Sequence, residues 1–129
     1  MILDAGFLIS VDRGEEAARV FLTAGGRVGT PLRTTHPVVG QVWRNGSMQA
    51  RLASFLKSVS VHALDDGSSV GHLLGLAGTS DVVDAHLVAV ALWLDDDILT
   101  GDPEDLGRIC QSLLSRAPVI HHWPSRSGS

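Results

Sequence analysis

The feature that most constrains the fold is the alternation of brief apolar segments with longer segments of helical period, because segment length separates strands from helices where periodicity is ambiguous. Residues 1–4 (MILD), 27–30 (RVGT), 59–64 (VSVHAL), 97–100 (DILT) and 118–122 (PVIHH) read as strands. Between them, 14–24 (GEEAARVFLTA) reads as an amphipathic helix ended by Gly25 and Gly26. Thr35 with Pro37 opens a helix through Arg44, since threonine caps a helix and proline fits its first turn. Ser47 starts another in MQARLASFLKSV, 67–77 forms a glycine-interrupted helix, 80–94 a long apolar one, and 103–115 the last. Strands separated by helices imply a mainly parallel sheet with helices on both faces. The expected fold class is therefore α/β, a three-layer α/β/α sandwich around a mainly parallel central sheet.

At 129 residues and 44% hydrophobic, the chain is expected to form one domain over 1–124, with a polar, frayed tail at 125–129 (SRSGS). The single cysteine, Cys110, excludes an internal disulfide framework and a cysteine-based zinc site, which makes a reducing cytoplasm the expected location. No basic start leads into an apolar stretch and no apolar run approaches about 20 residues, so neither secretion nor membrane insertion is expected. A net charge of −4 argues against a broadly basic nucleic-acid binder, though not against a nuclease whose acids hold cations. Nine of the ten cations are arginine, and Arg33, Arg44 and Arg51 either line a phosphate path or sit on ordinary solvated helix faces.

The acids fall where such a fold gathers them. Asp4 follows the first strand, Asp81 and Asp84 open the helix in TSDVVDAHLVAVA, and Asp102 and Asp105 follow the strand in ILTGDPEDL. Ligands of open α/β sheets bind outside the carboxyl ends of the strands. Mg²⁺ and Mn²⁺ prefer carboxylate oxygens, and Mg²⁺ takes one or two of them while water and substrate phosphate complete its shell. Carboxylates converging on one cleft therefore read as a phosphate-processing metal site. Single residues also have plainer readings: Asp102, Pro103 and Asp105 fit an N-cap, first position and first turn, and Asp81 fits a first-turn acid. Asp84 fits less easily, because it shares a helix face with Ala85 and Val88, where an apolar residue is expected.

The segments MILDAGFLI, VVGQVWRNGSMQARLASFL, SDVVDAHLVAVA and ILTGDPEDL, in this order and spacing, resemble the PIN-domain ribonucleases, and among them the VapC-type toxins of bacterial type II toxin–antitoxin pairs. The resemblance spans nearly the whole chain. It implies a small α/β/α sandwich, hydrolysis of RNA with Mg²⁺ or Mn²⁺, a cognate antitoxin protein and a homodimer. Carried onto this sequence, it makes Asp4, Asp84 and Asp102 the catalytic acids, with Asp81 as an added metal ligand. The chain departs from the pattern at Gln41, where the family has a glutamate. Glutamine offers a neutral carbonyl oxygen of the same size. The alternative implied is a catalytically weakened or inactive PIN module that binds RNA or a partner protein.

Other chemistry is thin. Adjacent residues His121 and His122 on a strand point to opposite faces, which suits packing better than a shared metal. There is no nucleophile elbow and no phosphate-binding loop, and the Gly71, Gly75, Gly78 spacing lacks a preceding strand, so close helix packing is its expected role. Trp43 and Trp93 are expected in the core or an interface, and Trp123 at the sheet edge. An aspartate-nucleophile phosphatase would want an acid at position 6, which is glycine, and a suitable lysine, of which only Lys57 exists.

Overall fold

The computed structural model describes residues 1–113 and 117–124. Its strands are β1 (Ile2–Leu3), β2 (Arg33–Thr35), β3 (Ser60–His62), β4 (Ile98–Thr100) and β5 (Ile120–His122). Its helices are α1 (Ala5–Asp12), α2 (Glu16–Val28), α3 (His36–Val42), α4 (Ala50–Leu56), α5 (Gly67–Ala77), α6 (Val82–Leu94) and α7 (Pro103–Gln111). The strands form one sheet in the order β3-β2-β1-β4-β5, parallel at every pairing. Helices α1 to α4 pack among themselves, as do α5, α6 and α7, and the sheet lies between the two layers. This is the α/β/α sandwich expected.

The order reverses at β1, because the chain builds β2 and β3 on one side and then crosses to β4 and β5 on the other. Such a switch point leaves a crevice at the carboxyl ends of the two central strands. Ile2 and Leu3 pair with Ile98 and Leu99, so Asp4 and the loop after Thr100 emerge side by side. Gly6 lets those loops meet: a Cβ there would stand 3.2 Å from the Gly101 backbone.

Two local expectations are corrected. Helix α1 had no counterpart among the expected elements, because AGFLISVD buries Phe7, Leu8, Ser10 and Val11 and carries little polar contrast to mark a helical period. Helix α2 does not stop at Gly25 and Gly26 but continues to Val28, and 27–30 is not a strand; the strand lies at Arg33–Thr35. The stop is Gly29, whose φ of 68° is left-handed and whose N–H returns to the carbonyls of Gly25 and Gly26. A Cβ at Gly25 would meet nothing. Gly25→Ala is therefore expected to raise unfolding free energy by about 1 kcal/mol and Gly29→Ala to lower it by about as much, both read by urea unfolding. Equal signs for the two would contradict this helix end.

Thr35 caps α3 as expected, its hydroxyl accepting from Val38 N–H at 3.2 Å. Ser47 does not start α4, because its N–H and hydroxyl are spent on Asn45 Oδ1 (3.0 and 2.7 Å). Gln49 closes that loop instead, accepting from the N–H groups of Arg44 and Asn45 and donating to the Val42 carbonyl. Helix α5 matches its expected span, but a Cβ at Gly71 or Gly75 would meet nothing, so neither permits close packing; Gly78 ends the helix at φ 68°.

The core is centred on β1, β4 and α6, with Ile2, Leu3, Leu87, Val88 and Ile98 fully buried. Phe7 meets Phe21 and Trp123 edge to face at 5.2 and 4.8 Å, and Trp123 Nε1 donates to Ser10 Oγ at 2.9 Å. Trp43 packs partly against the core, whereas Trp93 is half exposed. No single helix among the described residues is long and apolar enough to cross a membrane, and the apolar pair α5 and α6 is bent by 109°. Residues 114–115 of the last expected helix and the tail 125–129 lie outside the described residues.

Candidate functional site

Asp4, Asp81, Asp84, Asp102, Asp105 and Gln41 line one cavity of about 330 Å³ at the carboxyl ends of β1 and β4. Three of the aspartates reach it as helix caps. Asp4 caps α1, its Oδ1 accepting from Ala5 N–H at 2.8 Å. Asp81 caps α6 by accepting from Asp84 N–H at 3.0 Å. Asp102 holds the cap position of α7 without a side-chain capping bond, which leaves its carboxylate uncommitted to the helix. Asp84 and Asp105 follow within the first turns of α6 and α7. Asp102 takes the N-cap position expected of it, whereas Asp81 is the cap of α6 rather than a first-turn acid, and both still line the cavity.

Thr100, which the sequence reading did not single out, joins two of these acids. Fully buried at the end of β4, it donates its hydroxyl to Asp4 Oδ2 at 2.7 Å and accepts from Asp102 N–H at 3.0 Å. Both Asp4 oxygens thus have donors, and the side chain is fixed.

The site carries unbalanced negative charge. Burial, and then the charges of Asp81 and Asp4, push the Asp84 carboxyl up to about 7. Asp4 is also raised, by burial above all, with Asp102 and Asp81 adding to it and its hydrogen bonds to Thr100 and Ala5 opposing. Asp105 is raised by its carboxyl contact with Asp102, and Arg108 pairs with it at 2.7 Å on the exposed face of α7.

Among the described residues, no three His, Cys, Asp or Glu side chains stand close enough to share a metal ion as they are. The chemistry of the set nevertheless fits a hard divalent cation, since every donor is oxygen and the carboxylates repel one another. A magnesium-like ion also needs only one or two of them directly. The residues fit by charge and donor type.

Of the two readings of Arg33, Arg44 and Arg51, a shared phosphate path is not what these residues form. Arg33 pairs with Asp96 at 2.7 Å at the amino ends of the strands, away from the cavity, while Arg44 donates to the Trp43 carbonyl and Arg51 lies against Gly14. His121 pairs with Asp97 at 2.9 Å rather than sharing a ligand with His122. In the segment 37–56, Val38 and Leu52 are fully buried, so its larger apolar side chains that offer surface are partly covered Val39, Val42, Trp43, Phe55 and Leu56 and exposed Met48.

No protein-family model matches the chain. No curated protein matches it either. Among solved structures, it is similar to a chain in the crystal structure of VapBC2 from Rickettsia felis bound to a DNA fragment from their promoter. The two share 13% identity at a TM-score of 0.68, over 95% of this chain and 97% of that one. At that identity the likeness is one of fold, and the chain has a PIN-like α/β/α fold.

Proposed function

We propose that this chain is a Mg²⁺- or Mn²⁺-dependent endoribonuclease and the toxin of a toxin–antitoxin pair. The observation that carries this reading is the convergence of five aspartates on one crevice of a PIN-like sheet. Asp4, Asp84 and Asp102, with Asp81 beside them, are the residues that would hold the cation. When bound there, the cation polarises the scissile phosphodiester and lowers the pKa of an attacking water.

The chain's own groups prepare the site. Thr100 and Ala5 N–H keep Asp4 oriented, so its oxygens do not have to be ordered when substrate arrives. Asp81 is held by the first turn of α6. The mutual repulsion that raises Asp84 is a free-energy cost in the absence of a cation, and it is relieved when one binds. Gln41 contributes a neutral oxygen where a further carboxylate would add charge.

Purified protein is expected to cleave single-stranded RNA with Mn²⁺ and to stop with EDTA. Cleavage unaffected by EDTA would overturn the metal-dependent reading.

Gln41 on the cavity wall favours a second reading, a weakened PIN module that binds RNA or a partner without efficient cleavage. Metal-dependent RNA binding without turnover is its signature.

The partner proposed is an antitoxin protein that sets an arginine or lysine against Asp4 and Asp102 and covers the exposed apolar side chains of 37–56, alongside a two-fold homodimer of this chain. Support comes from the acidic crevice and from the fold shared with a chain of a VapBC2 structure. Size-exclusion chromatography with light scattering, on the chain alone and co-expressed with the product of the adjacent small gene, reads both assemblies. A lone monomer in both samples would overturn them.

A further inference from the structure

A second cavity, of about 220 Å³, adjoins the acidic one and shares Asp81, Asp84 and Asp105 as its wall. It lies between the end of α5, the first turn of α6 and the face of α7 that carries Asp105, Arg108 and Ile109. Its remaining lining differs in kind: Ala77 and Ile109 give apolar surface, Thr79 a hydroxyl, and Arg108 a guanidinium. Among the described residues, Arg108 is the only cation lining either cavity.

We infer that this second cavity is a subsite for one nucleotide flanking the scissile bond of a single RNA strand, with Arg108 as the residue that positions that nucleotide's phosphate. The inference rests on the nuclease reading and adds to it the substrate's path and a positioning residue. At about 220 Å³ the cavity has room for one base and part of its sugar, with the phosphate at its rim beside Arg108. The lining has what one nucleotide requires, apolar surface for a base face, a hydroxyl for a base edge and a cation for the phosphate. Thr79 Oγ1 already accepts from Asp81 N–H at 3.2 Å, which leaves its own proton to donate.

Arg108 is free to serve. Its side chain is 70% exposed, and its pairing with Asp105 is a surface ion pair of the kind that contributes little to stability. It can exchange that carboxylate for a phosphate at small cost, and a guanidinium suits phosphate geometrically. A strand whose scissile phosphate lies among the aspartates would then have its neighbouring phosphate on the Arg108 guanidinium.

The test is steady-state cleavage of a mixed-sequence single-stranded RNA 20-mer in Mn²⁺, for wild type, Arg108→Gln and Arg108→Lys, repeated over a salt series. Arg108→Gln is expected to raise KM about tenfold with kcat within about twofold. It should also reduce the slope of log(1/KM) against log salt by about 0.7, one phosphate contact on a single strand. Arg108→Lys should restore the slope. Unchanged melting of all three proteins is expected from the exposure of the side chain. If wild type cleaves and Arg108→Gln matches it in KM and salt slope, the subsite is overturned and the nuclease reading stands. If wild type neither binds nor cleaves the RNA, both are overturned.

Discussion

Asp84→Asn is expected to reduce Mn²⁺-dependent RNA cleavage by about a hundredfold or more while making the metal-free protein more stable. The two effects share one cause. Asp84 is half-buried beside Asp81 and Asp4, and folding raises its carboxyl to about 7 from an ordinary value near 3.8. An acid whose folded pKa is raised favours the fold in its neutral form, so its contribution is complete below about pH 4 and is lost as pH rises through about 7. Wild type in EDTA should therefore lose stability across that window, and the asparagine variant should not. At pH 8 the variant's advantage is about 1–2 kcal/mol, a figure already reduced for the solvent that screens a partly exposed group. Asparagine keeps the shape but removes a charged ligand, so activity falls as stability rises. Wild-type cleavage by this variant would remove Asp84 from the site, and lower stability in EDTA at pH 8 would contradict the charge argument.

Gln41→Glu is expected to act in the opposite direction. Glutamate restores a charged oxygen at unchanged size on the wall that already carries five aspartates. Mn²⁺ affinity should tighten about tenfold, or about 1.4 kcal/mol, and RNA cleavage should rise with it. In EDTA the same variant should melt at a lower temperature than wild type, because it adds another carboxylate to a cavity wall that already carries five. The divergence between the two conditions is the informative result. Calorimetric titration showing equal or weaker Mn²⁺ affinity would take Gln41 out of the site, and tighter binding without added cleavage would favour the weakened-module reading.

The acids were legible in the sequence because β1 and β4 run into helices, and an N-cap is a place where aspartate is favoured for local reasons. Asp4, Asp81 and Asp102 all occupy such positions. Their convergence could be anticipated from the general rule for parallel sheets, although the strand order itself could not. Helix α1 was not legible, since a short helix with apolar residues on most sides has the same pattern as a buried strand. Gly25 and Gly26 looked like a stop because glycine so often ends helices, but the property that decides is positive φ, and only Gly29 has it there. Thr100 escaped notice because its role is a tertiary bridge between Asp4 and Asp102, 96 residues from the first of them. Nothing in the sequence marked Arg108 out, because its place beside the second cavity comes from the packing of α5, α6 and α7.

The most direct measurement is the melting temperature of wild type and Asp84→Asn, each titrated with Mn²⁺ at constant pH above 7. A cation that binds only the native crevice adds about 2.7 kcal/mol at a hundredfold excess over its dissociation constant, enough to raise the melting temperature by several degrees. The expected result is a saturable rise for wild type and a rise that is much smaller, or needs far more Mn²⁺, for Asp84→Asn. An equal rise in both proteins, or none in wild type, would contradict a cation site built on these aspartates.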